Sequence, residues 1–155
     1  MAAKDPVIEL LLAFIDQAYD KKAWHGPTLR GALRGISVKE ALWRPTPKHH
    51  NIWDITLHAA YWKYTVRNRL LSGQRGSFPR KGSNWFKSGG SPAEWKKDLE
   101  LLGQQHKLLR EAVANLSPTK IGRMDMIYGI ASHDLYHAGQ IQLLKRLIRG
   151  GVVNA

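Results

Sequence analysis

The sequence predicts an all-α fold, a four-helix bundle with one long crossover between its second and third helices. Three observations carry that reading. Four long segments repeat apolar residues at helical spacing, no segment alternates β-branched residues between turn signals, and one Gly-, Ser- and Pro-rich stretch separates the middle two segments. With 155 residues the chain has the length of one domain, so a single bundle domain is expected over 1–155.

The first helix is expected from about Asp5 to Ala23, with Pro6 at its first position and Val7, Leu11, Phe14, Ile15 and Ala18 on its inward stripe. Gly26 and Pro27 interrupt the pattern, and Thr28 to Gly35 and Ser37 to Trp43 read as short helical turns. A capping box of Ser37 and Glu40 opens the second of them. After Pro45 and Pro47, Asn51 caps a helix reaching about Leu71, with Asp54 in its first turn and Ile55, His58, Trp62 and Val66 facing inward. Residues Ser72 to Ser91 form the crossover. Ser91, Pro92 and Glu94 start the next helix, whose stripe is Trp95, Leu99, Leu102, His106, Leu109, Val113 and Leu116; Ser117 and Pro118 end it. The last helix is expected from about Ile121 to Arg149, stopping at Gly150 and Gly151, with Ile127, Ile130, His133, His137, Ile141, Leu144 and Ile148 inward.

Composition removes several function classes. There is no cysteine, which excludes disulfides, thiolate metal sites and a cysteine nucleophile, so any metal must take nitrogen or oxygen ligands. No stretch approaches the roughly 18 apolar residues of a membrane span. Acidic residues flank the apolar run Leu10 to Ile15 and no small-residue cleavage site follows it, so a soluble protein in the cytoplasm is expected. Twenty-four Lys and Arg against twelve Asp and Glu give a formal charge of +12. Such a field attracts nucleic acid, acidic lipid or anionic small molecules, and it equally describes a solvated basic surface.

Three histidines stand out. His133 and His137 are one helical turn apart, so their rings project from one face and can share a metal ion. Both lie on the stripe expected to face the core, and His58 lies on the core stripe of another helix. Unpaired polar groups in an apolar interior cost a few kcal/mol each, whereas one ion satisfies three ring nitrogens at once. The alternative is that each is a core histidine bonded to a backbone carbonyl. His106 also falls on an apolar stripe and reads as a satisfied core histidine before a further ligand; His25, His49 and His50 read as exposed or packed at the bundle end. Asp54 can either cap its helix or fix the ring of a ligand histidine, and Asp134 reads as a surface or interhelical ion-pair partner. Three neutral histidines without a carboxylate leave a zinc, nickel or other first-row ion with open positions.

The segments NIWDITLHAAYW at 51–62 and SHDLYHAGQIQLLK at 132–145, together with AWHGPTLRGAL at 23–33 and WRPTP at 43–47, make the chain resemble the DinB/YfiT superfamily of metal-dependent bundle proteins. The resemblance covers nearly the whole chain. It implies a four-helix bundle with one crossover, a triad of His58, His133 and His137 holding nickel or zinc, and a homodimer. Members with assigned activity are thiol transferases that use low-molecular-weight thiols such as bacillithiol or mycothiol.

Three functions follow as expectations. The first is a metal-dependent enzyme, a thiol-dependent S-transferase or hydrolase acting on a small molecule, with Tyr61, Tyr136 or Asp54 assisting. The second is a nucleic-acid binder, suggested by the run Ile55 to Ala93, which holds seven Lys or Arg, no acid, and Phe78, Trp85 and Phe86 between them. The third is a non-catalytic dimer with a structural metal.

Overall fold

The computed structural model describes residues 5–73, 76–117 and 122–150. Among them every regular element is helical: α1 (Pro6–Tyr19), α2 (Leu29–Leu33), α3 (Val38–Leu42), α4 (Ile52–Leu70), α5 (Pro92–Ala114) and α6 (Met124–Arg149). The four long helices close a ring of contacts, α4 against α5 and α6, and α1 against α5 and α6, while α2 leans on α6 and α3 on α4.

The starts follow from the capping chemistry. Asp5 Oδ1 accepts from the backbone N–H groups of Val7 (2.9 Å) and Ile8 (3.3 Å), with Pro6 behind it needing no partner. Reciprocal boxes open α3 through Ser37 and Glu40, α4 through Asn51 and Asp54, and α5 through Ser91 and Glu94. In α6 the first turn carries Asp125 at the positive end of the dipole and has no side-chain cap.

Three details differ from the sequence reading. The first helix ends at Tyr19 instead of Ala23, because Asp20 leaves helical geometry (φ −145°) and lies 3.6 Å from Arg30. Its buried face is Ile8, Leu11, Leu12, Ile15, Ala18 and Tyr19, whereas Val7 is 37% exposed. The apolar run is broad enough to offer two adjacent stripes, and the one buried among Val66, Leu109, Val113, Ile127 and Ile130 is the second. The last helix begins at Met124; Pro118, Ile121 and Gly151, read as stop and start signals, lie outside the described residues.

The core has two apolar parts. One surrounds Leu29, Ile52, Trp53, Leu102 and Ile141, the other Ile15, Val66, Leu109 and Ile127. A polar layer lies between them along α4, α5 and α6: buried Gln105 and His106 between Leu102 and Leu109, buried Lys63 between Ala60 and Val66, and buried Asp134 and His137 with half-buried His133 between Ala131 and Ala138. At its centre Lys63 (1% exposed) pairs with Asp134 (0%), joining α4 to α6. Burial pushes the Asp134 carboxyl up against the pull of the Lys63 ammonium. Asp134 is therefore an interhelical partner as read, but a fully buried one. Removing two charges from water is costly, and only pairing makes it tolerable.

Candidate metal centre

His58 reaches the polar layer from α4, and His133 and His137, four apart, from one face of α6. The Nε2 of His133 lies 3.1 Å from that of His58 and 3.0 Å from that of His137. The three ligand atoms fall within 4.8 Å of one another, and this group includes no carboxylate. Nitrogens about 2.0–2.1 Å from one tetrahedral ion stand roughly 3.4 Å apart, close to the spacing observed.

The partners of the outer ring nitrogens set the tautomers. The Asn84 carbonyl can only accept, so the His58 Nδ1 that lies 2.8 Å from it carries the proton and Nε2 of the neutral ring presents a lone pair. His137 Nδ1 lies 2.7 Å from Gln140 Oε1, another acceptor, with the same result. His133 Nδ1 is buried and has no hydrogen-bond partner among the described residues. A neutral His133 has one proton to offer, and two lone pairs face its Nε2. A cation at the common point relieves that opposition.

Burial keeps the rings neutral. It lowers His133 to about 3, with the neighbouring His137 and His58 adding to the effect. It lowers His137 to about 4 against the opposing bond to Gln140, and lowers His58 against the opposing bond to Asn84. Neutral imidazole is the form that ligates, so the cluster is ready for an ion at neutral pH. The donor set fits zinc, nickel or a similar first-row divalent ion, which three nitrogens would leave with open positions.

The surroundings come from the connection between α4 and α5. Asn84 takes a left-handed conformation (φ +68°), which Asn tolerates better than most residues, and its Oδ1 accepts from Trp62 Nε1 at 2.8 Å. The Trp85 ring lies between two imidazoles, 4.0 Å from His58 and 3.5 Å from His50 by ring centroids, nearly parallel to both. Tyr136, 65% exposed, sets its edge against His137 with centroids 5.1 Å apart.

The other candidates separate from this cluster. His106 meets Lys63 and stacks on Tyr19, a core position as read. His25, His49 and His50 are exposed, His49 bonding Thr46 and His50 packing on Trp85. Asp54 caps α4 and bonds Arg44 and Ser88, so of its two readings the cap is the one realised; no bond joins it to His58. Burial raises that carboxyl, but the hydrogen bonds from Arg44, Ser88 and Asn51 outweigh it and hold it below its ordinary value. Tyr61 packs on Phe78 and Phe86. Sequence reasoning missed Asn84, Trp85 and Gln140. Gln140 had a signal, since it stands three residues after His137 on the same helix; Asn84 had none beyond lying in the crossover, and Trp85 stood out only as an aromatic of the basic run.

A family model described as the DinB superfamily matches residues 23–141. No curated protein and no solved structure matches the chain.

Proposed function

Because the chain belongs to the DinB superfamily, we propose that it is a metal-dependent enzyme in which His58, His133 and His137 hold one divalent ion. The convergence of three neutral Nε2 atoms from two helices carries this reading. A bound zinc or nickel ion supplies Lewis acidity and lowers the pKa of a water or thiol at an open position. The reaction class proposed is transfer of a low-molecular-weight thiol to a small electrophile, or hydrolysis.

The chain's own residues provide the setting. Asn84 and Gln140 hold two rings by their outer nitrogens, so the lone pairs stay aimed inward. Trp85 covers one face of His58 and limits water on that side. Tyr136, half-open beside His137, is the hydroxyl group available to orient a substrate. A cytoplasmic homodimer belongs to the same proposal. An exposed apolar strip of Val7, Leu10, Met124 and Tyr128 on α1 and α6 is the surface a second copy would cover. No helix among the described residues is long and apolar enough to cross a membrane.

The basic run from Ile55 to Ala93 does not favour nucleic acid as a partner. Lys63 and Arg67 are buried, Phe86 is buried, and Phe78 and Trp85 are half-buried against other aromatic rings; Arg75 lies outside the described residues.

The test is metal analysis of purified protein beside His58→Ala and His137→Ala, followed by a panel of thiols with an electrophilic acceptor. One ion per chain, lost in both variants together with turnover, is expected. An ion retained in both variants, or full turnover in the metal-free protein, contradicts the reading.

A further inference from the structure

A cleft of about 1010 Å³ lies between the α1–α2 connection and α5, and shares no lining residue with the histidine cluster. Its carboxylates already have partners. Asp16 is held by Arg110 through two bonds of 2.7 and 2.9 Å, Asp20 stands 3.6 Å from Arg30, and Glu100 stands 4.0 Å from Lys96. Lys21, Arg34 and Lys107 also line the cleft, and none has a carboxylate partner among the described residues. The rim therefore carries uncompensated positive charge.

Two donors lie at the base. Tyr19 and His106 line the cleft while only 5% and 6% exposed, and their rings stack with centroids 3.7 Å apart. Lys63 Nζ lies 3.4 Å from His106 Nδ1, and an ammonium only donates, so Nδ1 is the acceptor and the neutral ring carries its proton on Nε2. Burial holds His106 down to about 2 and pushes the Tyr19 phenol up to about 12, so ring and hydroxyl both stay neutral. No hydrogen bond within the described protein uses His106 Nε2 or Tyr19 Oη, and neither is sealed from solvent. Gly103 leaves the hydroxyl uncovered, since a Cβ there would sit 3.6 Å from Tyr19 Oη.

We propose that this cleft binds a small organic anion, with phosphate or carboxylate oxygens accepting from Tyr19 Oη and His106 Nε2 while Lys21, Arg34 and Lys107 balance the charge. Donors recessed between cations suit a compact anionic group. They suit a long polyanion less, because its charges would remain at the rim.

Calorimetric titration of the full chain with inorganic pyrophosphate and with succinate tests this, and the preferred probe distinguishes phosphate from carboxylate. Each titration is run on protein as purified and after metal removal. Binding of at least one probe that survives metal removal is expected. Tyr19→Phe, which deletes only the hydroxyl, should weaken it about fivefold or more, and Arg34→Ala about tenfold. Gly103→Gln should abolish it by filling the space, and the fold should persist because Gln is a better helix former than Gly. Lys39→Ala, exposed and outside the cleft, should bind as the parent does. The proposal is overturned if neither probe binds, or if binding disappears with the metal. Wild-type binding in Tyr19→Phe and Gly103→Gln overturns it too, as does a loss in Lys39→Ala equal to that in Arg34→Ala, the mark of general charge attraction.

Discussion

His58 and Asn84, 26 residues apart in sequence, are joined by a 2.8 Å hydrogen bond from the imidazole Nδ1 to the backbone carbonyl. Four residues after His58, Trp62 donates to the Asn84 side chain. One face of α4 thus grips a single residue of the connection twice, and the grip fixes which nitrogen of His58 is free.

That grip depends on the left-handed backbone of Asn84. A β-branched residue resists the conformation by roughly 1–2 kcal/mol, so Asn84→Val should turn the carbonyl away and reduce metal affinity about 10- to 100-fold. Asn84→Gly keeps the backbone, loses the Trp62 bond, and should fall between the two. Competition against a chromophoric chelator gives the three affinities; equal values would remove Asn84 from the account.

Lys63→Met leaves the Asp134 carboxyl buried without its cation and should destabilise the protein by about 3–5 kcal/mol. Adding Asp134→Leu removes the stranded charge, so the double variant should lie within about 1 kcal/mol of the parent. Urea unfolding of the four proteins measures this cycle. A double variant as weak as the single one would show that the pair contributes packing alone.

Acid should destabilise the metal-free protein. Unfolded histidine titrates near ~6.5, whereas burial holds His106 to about 2, His133 to about 3 and His137 to about 4 in the folded state. Below the unfolded value the unfolded chain binds protons that the native state refuses, so stability is complete above about pH 6.5 and falls as pH drops toward those lower values. Asp134, pushed up by burial, works in the opposite sense, as one group against the four lowered histidines, His58 among them. Thermal melts should show Tm level near neutrality and falling through mildly acid pH; a Tm independent of pH across that range would contradict the histidine assignments.

Arg149 bonds Glu40 at 2.7 Å, tying the end of α6 to α3, and with the Ser37 N–H it draws the Glu40 carboxyl down to about 2. The Arg149 side chain is 48% exposed, and water screens the pair. Arg149→Ala should therefore cost far less than Lys63→Met. The same urea series checks the contrast.

Local chemistry made much of the fold legible. Ser37 with Glu40, Asn51 with Asp54 and Ser91 with Glu94 announce helix starts within four residues of sequence, and the structure has all three boxes. His58, His133 and His137 were legible as a group because each stands at helical spacing from apolar core residues, and the structure brings their rings together. What the sequence hid depends on contacts between distant residues. Lys63 reads as a surface lysine until Asp134 is placed against it, and Val7 reads as core until the bundle buries the adjacent stripe. Trp85 reads as a loop aromatic, and only the folded connection slides it between His50 and His58.

That sandwiched indole makes the segment between α4 and α5 a removable wall. Rods and wall answer to different forces, one to interior packing and capping, the other to a short stack of rings and one clamped asparagine. Shortening or rewriting the wall would therefore reshape what can approach the imidazoles without disturbing the scaffold that carries them.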